Sequence, residues 1–299
     1  METKELVDKI TGQILARLRE TSGGNGKARA GSAAAGGGAA SVRPEATGQG
    51  AASAQGAPLE RSWGKPAAEP QQYRGLRPAE VARYIDHTLL KPEASREQID
   101  RLCDEAAEYG FYSVCVNTAW SAYCARRLRG KGVRVATVVG FPLGAMDSRS
   151  KSFETRSALE HGSDEIDMVM NVGAMKSRDL KTVEEDIRSV LRACRQNTVL
   201  KVIIECALLS DEEKVLACQI AKRCGAHFVK TSTGFAASGA TVEDVALMRR
   251  TVGLEMGVKA AGGIRSYEDA LAMIQAGASR LGTSASAAIV TGAKSQSKY

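Results

Sequence analysis

From residue 78 to the C-terminus, short apolar runs alternate with longer segments in which hydrophobic residues recur every three or four positions. Runs of four to eight small or β-branched apolar residues between turn residues read as buried strands, and the longer period reads as amphipathic helix. The runs at 84–87, 113–117, 133–140, 165–171, 200–205, 227–233, 257–261 and 280–283 predict eight strands. Helices are expected near 95–109, 119–129, 148–161, 177–195, 211–224, 241–252 and 266–276. Ser210-Asp211-Glu212-Glu213 and Thr241-Val242-Glu243-Asp244 carry start signals, and Gly110, Gly162, Gly225 and Gly277 follow the expected ends. This alternation predicts an α/β protein, a (β/α)8 TIM barrel. An open doubly wound sheet would show a glycine-rich turn after its first strand, which Ile85-Asp86-His87-Thr88 does not supply.

The pattern before residue 78 is different. Over residues 3–20, Leu6, Ile10, Ile14 and Leu18 recur every four positions among acids and bases, with Thr3 as a possible N-cap and Gly23-Gly24 as a stop. Residues 21–72 are dominated by Gly, Ala, Ser, Gln and Pro, the composition of a flexible linker. The expected organisation is therefore a helix over 1–20, a disordered linker over 21–72 and a barrel over 73–299. A helix this short is marginal alone in water, so it needs a partner surface. A frayed tail, or a helix packed on its own barrel, is the alternative.

The net charge of +7 comes from bases scattered among acids, without the basic stripe of a nucleic-acid-binding protein, and suits a small anionic substrate. Seven cysteines with no CxxC pair indicate a reducing compartment, and there is neither a secretory signal nor an apolar run of membrane-spanning length. A cytoplasmic protein without membrane or nucleic-acid partners is expected. His87, His161 and His227 fall in three separate elements, so no metal site is expected.

The active site of such a barrel lies at the C-terminal ends of its strands. Those ends carry Asp86 and Thr88, Cys115 and Asn117, Asp167 and Asn171, Lys201 and Glu205, Lys230, and Lys259. Lys201, Lys230 and Lys259 each follow an apolar residue, so strand alternation can turn all three inward. If the strands of Lys230 and Lys259 are neighbours, two ammonium groups face each other across about 5 Å. Like charges that close cannot both stay protonated, which leaves one lysine as a neutral nucleophile suited to Schiff-base chemistry. Thr233-Gly234, Gly262-Gly263 and Gly282-Thr283-Ser284 follow the last three strands, where barrels commonly bind phosphate. Cys115 reads first as a core thiol.

Seven segments in order resemble those of the deoxyribose-phosphate aldolase family. They are Ile85-Asp86-His87-Thr88-Leu89-Leu90-Lys91-Pro92, Val114-Cys115-Val116-Asn117, Gly140-Phe141-Pro142-Leu143-Gly144, Asp164-Glu165-Ile166-Asp167-Met168-Val169, Lys201-Val202-Ile203-Ile204-Glu205, Phe228-Val229-Lys230-Thr231-Ser232-Thr233-Gly234 and Val258-Lys259-Ala260-Ala261-Gly262-Gly263-Ile264-Arg265. The resemblance implies that Lys230 forms the Schiff base with acetaldehyde, that Lys259 lowers its proton affinity, and that Asp167 joins Lys259 in a proton relay. It implies a phosphorylated sugar as substrate, no metal and no cofactor, with Cys115 near the pocket. Asp86, Thr88 and Lys201 are expected to orient the substrate or the lysine network. Where some relatives have a lysine after the Thr-Gly turn, this chain has Phe235, which shifts phosphate binding toward backbone donors and Ser284. Many relatives end in tyrosine, so Tyr299 is expected to reach the site during proton transfer. A homodimer is a further expectation.

Residues 1–20 and their linker resemble the encapsulation peptides that carry cargo enzymes into bacterial microcompartments, which implies a shell protein as partner. Two alternatives stand beside the aldolase: another Schiff-base lyase on this barrel, or a retired barrel serving as a scaffold.

Overall fold

The computed structural model describes residues 75–293 together with Lys9 and Gly12, both helical. Apart from those two positions, the expected helix over 1–20 and the linker over 21–72 lie outside the described residues, as does Tyr299.

Eight parallel strands close into a barrel in sequence order, with β1 paired to β8. They are β1 (Ile85–Leu89), β2 (Ser113–Val116), β3 (Arg134–Val139), β4 (Glu165–Val169), β5 (Val199–Ile203), β6 (Phe228–Lys230), β7 (Gly257–Ala261) and β8 (Arg280–Thr283). Between and after them lie α1 (Arg96–Tyr109), α2 (Ser121–Arg127), α3 (Ser148–Glu160), α4 (Val172–Lys176), α5 (Leu180–Ala193), α6 (Asp211–Cys224), α7 (Val242–Val252), α8 (Tyr267–Gln275) and α9 (Ser286–Thr291). The predicted TIM barrel is the observed fold.

Local chemistry sets the boundaries. Ser95, Ser210 and Ser266 start α1, α6 and α8 with reciprocal capping bonds to Gln98, Glu213 and Asp269, and Thr241 caps α7 through Asp244 N. Gly110 and Gly225 close α1 and α6 in the left-handed region, at φ 66° and 91°.

Several elements are shorter than expected, and in three of them a local cause is visible. The run over 165–171 stops as strand at Val169, because Asn171 turns to cap α4 and accepts from Ala174 N. The expected helix over 177–195 begins only at Leu180, since Arg178 has φ 58° and Asp179 caps a new helix through Thr182 N. The run over 227–233 is strand only through Lys230. Beyond it the N–H of Thr233 turns to the Glu205 carboxylate instead of a neighbouring strand. The 3-10 turn Pro78–Tyr84 and helix α9 were not expected; they meet at the closure of the barrel.

Apolar residues fill the layer between strands and helices, including Ile99, Leu102, Val183, Ile187, Val190, Val215, Ile220 and Met248. The centre of the barrel is unusual because it is charged. Asp86, Glu165, Asp167, Lys201, Lys259 and Arg280 are all buried there, and Phe228 fills the space that Gly257 leaves; a β-carbon at 257 would stand 2.2 Å from its ring. No described helix is long and apolar enough to cross a membrane.

Candidate active site

Register brings the charged residues together. Asp167 on β4 pairs with Lys201 on β5, and Lys230 on β6 pairs with Lys259 on β7, as the strand-neighbour argument required. Asp167 is the hub. Its Oδ1 accepts from Lys201 Nζ at 2.7 Å, and its Oδ2 accepts from both Lys230 Nζ at 2.9 Å and Lys259 Nζ at 2.8 Å.

A second tier supports the hub. Lys259 also bonds Asp86 Oδ2, Lys201 pairs with Glu165 Oε2 at 2.5 Å, and Ser113 Oγ donates to Asp86 Oδ1 at 2.7 Å. Arg280 Nη1 joins the two acids, at 2.8 Å from Asp86 Oδ1 and 3.1 Å from Glu165 Oε2, with its guanidinium 3.4 Å from the centre of the Tyr112 ring.

These contacts decide which groups hold charge. Burial alone would raise the Asp167 carboxyl, but the charges of Lys201, Lys230 and Lys259 outweigh it and hold Asp167 well below the usual carboxylate range. Burial is likewise overcome at Asp86 by Lys259, Arg280 and Lys201, which keep it low. On the basic side, burial would lower Lys259, Lys201 and Arg280, yet the facing carboxylates raise all three above their ordinary values. Among Asp86, Glu165, Asp167 and Lys201, Lys230, Lys259, Arg280 the bases outnumber the acids by one.

Above the cluster, at the C-terminal ends of the strands, lies a cavity of about 230 Å³. Of the residues expected to bind substrate, Thr88, Thr233, Gly234, Gly262, Gly263, Gly282 and Ser284 line it. Among the four bases of the cluster, Lys230 alone reaches its wall; Asp86, Asp167, Lys201 and Lys259 are buried and do not line it. Cys115 does not line it either; it packs with Leu90, Ala136 and Val138, its Sγ 4.0 Å from Asp167 Oδ2. Burial pushes its thiol up, so it remains a core sulfhydryl beside the hub.

The phosphate end differs in detail from expectation. Thr233 lines the cavity, but its N–H and its hydroxyl both donate to the buried Glu205 carboxylate. Phe235, which occupies the position of the lysine in some relatives, stacks edge-on against Phe141 with ring centres 5.2 Å apart. Arg265 lines the cavity, so a cation is present there on the next turn. Glu165 and Arg280 were missed from sequence, although Glu165 shares strand parity with Asp167, and that signal could have found it. No group of three residues able to ligate a metal occurs among the described residues.

The family model for DeoC/LacD family aldolases matches residues 80–295. The chain belongs to the DeoC/LacD aldolase family. It is an aldehyde-lyase. A deoxyribose-phosphate aldolase of Streptococcus sanguinis is 59% identical over 217 residues, which is 73% of this chain and 98% of that protein. One from Streptococcus pneumoniae is 60% identical over the same shares. Among solved structures, the tetrameric deoxyribose phosphate aldolase of Aeropyrum pernix is 32% identical and superposes with a TM-score of 0.69, covering 78% of this chain and 97% of that one.

Proposed function

We propose that this aldolase catalyses the reversible cleavage of 2-deoxy-D-ribose 5-phosphate to acetaldehyde and glyceraldehyde 3-phosphate through a Schiff base on Lys230. The observation that carries the residue assignment is that Lys230 is the one base of the buried cluster lining the cavity. The names of the Streptococcus relatives support the substrate.

In the synthetic direction the neutral Lys230 amine adds to the acetaldehyde carbonyl, and the carbinolamine loses water to form an iminium. Loss of a methyl proton gives an enamine, whose carbon attacks the aldehyde of glyceraldehyde 3-phosphate; water then hydrolyses the new iminium and frees Lys230. The iminium is the electron sink when the methyl proton leaves and, in the cleavage direction, when the carbon–carbon bond breaks; in the addition the aldehyde oxygen takes the electron pair and a proton. Lys259 supplies the permanent positive charge beside Lys230, and Asp167, bonded to both, passes protons between them through water. Lys201, Glu165, Asp86 and Arg280 hold Asp167 and Lys259 in place from below. Arg265 and the turns at Gly234, Gly262-Gly263 and Gly282-Ser284 receive the phosphate, with Thr88 near the reacting end and Tyr299 assisting proton transfer at the enamine carbon.

Borohydride reduction in the presence of acetaldehyde, followed by peptide mass mapping, tests the assignment. The adduct is expected on Lys230, and Lys230→Ala is expected to abolish both labelling and turnover. An adduct on Lys259 or Lys201 with Lys230 unmodified would refute it.

The sequence of residues 1–72 carries a second part of the reading: residues 1–20 serve as a targeting segment, 21–72 as a linker, and 73–299 as the catalytic domain. The stripe of Leu6, Ile10, Ile14 and Leu18 supports docking on a microcompartment shell protein, since it suits a helix-in-groove contact. The enzyme would then work in the cytoplasm or in the lumen of such a compartment, where acetaldehyde is contained. Fusion of residues 1–20 to a fluorescent protein in shell-producing cells should give puncta that an Ile10→Asp, Ile14→Asp variant loses. Diffuse fluorescence from both would end that reading.

A further inference from the structure

Glu205 sits just past β5 with φ 57° and ψ 70°, the left-handed region that favours glycine. Only 4% of it is exposed. A bulky acid in a backbone conformation suited to glycine, with its carboxylate out of water, is held there by what the carboxylate touches. It accepts hydrogen bonds from Thr233 on the neighbouring turn. Thr233 N lies 3.4 Å from Oε1 and 3.3 Å from Oε2, and Thr233 Oγ1 donates to Oε2.

The hydroxyl then accepts from Phe235 N at 3.1 Å, so one carboxylate orders three successive residues. At the centre of that turn is Gly234, with φ 87°, in contact with Gly262, where a β-carbon would lie 3.4 Å from Gly234 Cα and 3.0 Å from Gly239 Cα. Thr233, Gly234 and Gly262 line the cavity. Glu205 itself does not, and the Thr233 donors lie between its charge and the cavity.

We propose that Glu205 is a positioning residue for the phosphate end of the cavity, holding the Thr233–Gly234 turn in the shape that receives the phosphorylated half of the substrate. This deepens the aldolase reading above and rests on it. The amine end does not depend on Glu205, because Lys230 is fixed by Asp167 and by strand pairing with β7. Loss of the carboxylate therefore weakens retention of the phosphorylated substrate and spares Schiff-base formation.

The test compares the full-length enzyme with Glu205→Gln and Glu205→Gly, using 2-deoxyribose 5-phosphate and unphosphorylated 2-deoxyribose. Gln keeps the size but loses an acceptor; Gly removes the carboxylate and relieves the backbone, which guards against mere misfolding. In both variants KM for the phosphorylated sugar is expected to rise about tenfold or more, the scale of a lost charge-assisted hydrogen bond. The kcat/KM for 2-deoxyribose should change less than about twofold, and labelling of Lys230 by acetaldehyde and borohydride should persist. Adding Thr233→Val to Glu205→Gln should add little, because both act through one contact. Equal losses on both sugars, or an unchanged KM for the phosphorylated one, would overturn the proposal. Failure of the wild-type enzyme to be labelled at Lys230 would instead remove the aldolase reading on which it rests.

Discussion

Replacing Lys259 by methionine isolates the electrostatic role of the second lysine. Lys230 and Lys259 are register partners, and their nitrogens donate to the same oxygen, Asp167 Oδ2, at 2.9 and 2.8 Å. Two nitrogens sharing one oxygen lie about 5 Å apart, where unit charges repel by roughly 3 kcal/mol at an effective dielectric of 20. Lys259 is the member that keeps its proton: burial works against its charge, but Asp167 and Asp86 outweigh burial and hold it above the ordinary lysine range. Methionine removes this cation and keeps most of the apolar stem. With that cation gone, the rate of Lys230 labelling by acetaldehyde and borohydride at pH 7 is expected to fall about tenfold or more, within the roughly 3 kcal/mol of electrostatic interaction removed. The assay is the initial rate of adduct formation, read by mass, on enzyme first shown to be folded; the reagents are those suited to Schiff-base trapping. A rate within about twofold of the wild-type enzyme's would show that Lys259 does not activate its neighbour.

Three other outcomes follow from the geometry. Lys151, wholly buried on α3, donates to Asp186 Oδ2 at 2.6 Å and to Val169 O at 2.9 Å; Lys151→Met strands the Asp186 carboxylate and should destabilise the barrel by about 3–5 kcal/mol in urea titration. A loss under about 1 kcal/mol would mean that the site admits water. A β-carbon on Gly239 would stand 2.2 Å from Gly262 O, so Gly239→Ala must displace the turn, with a stability loss of about 1–3 kcal/mol and a higher KM for the phosphorylated sugar. Normal stability and KM would show that this loop yields freely. Deleting Tyr299 should slow solvent exchange of the acetaldehyde methyl protons while sparing labelling of Lys230; full-rate exchange would remove Tyr299 from the proton path.

The sequence by itself determined the strand count, most helix limits and the pairing of Lys230 with Lys259. These are short-range facts: hydrophobic period, caps such as Ser210 and Thr241, and a lysine at the same place in two consecutive strands. Strand alternation also turned Lys201 inward. Only closure of the barrel decided the rest. Arg280 meets Asp86 across 194 positions because β8 pairs with β1, and no local pattern marks that contact. Glu205 was visible as a strand-end acid, but its left-handed backbone and its hold on Thr233 were not, since glutamate has no intrinsic preference for that conformation. The same holds for Lys201, which faces the barrel axis as the alternation predicts yet does not line the cavity. Depth along the axis is set by the stagger of eight strands, a property of the closed sheet that belongs to no single strand.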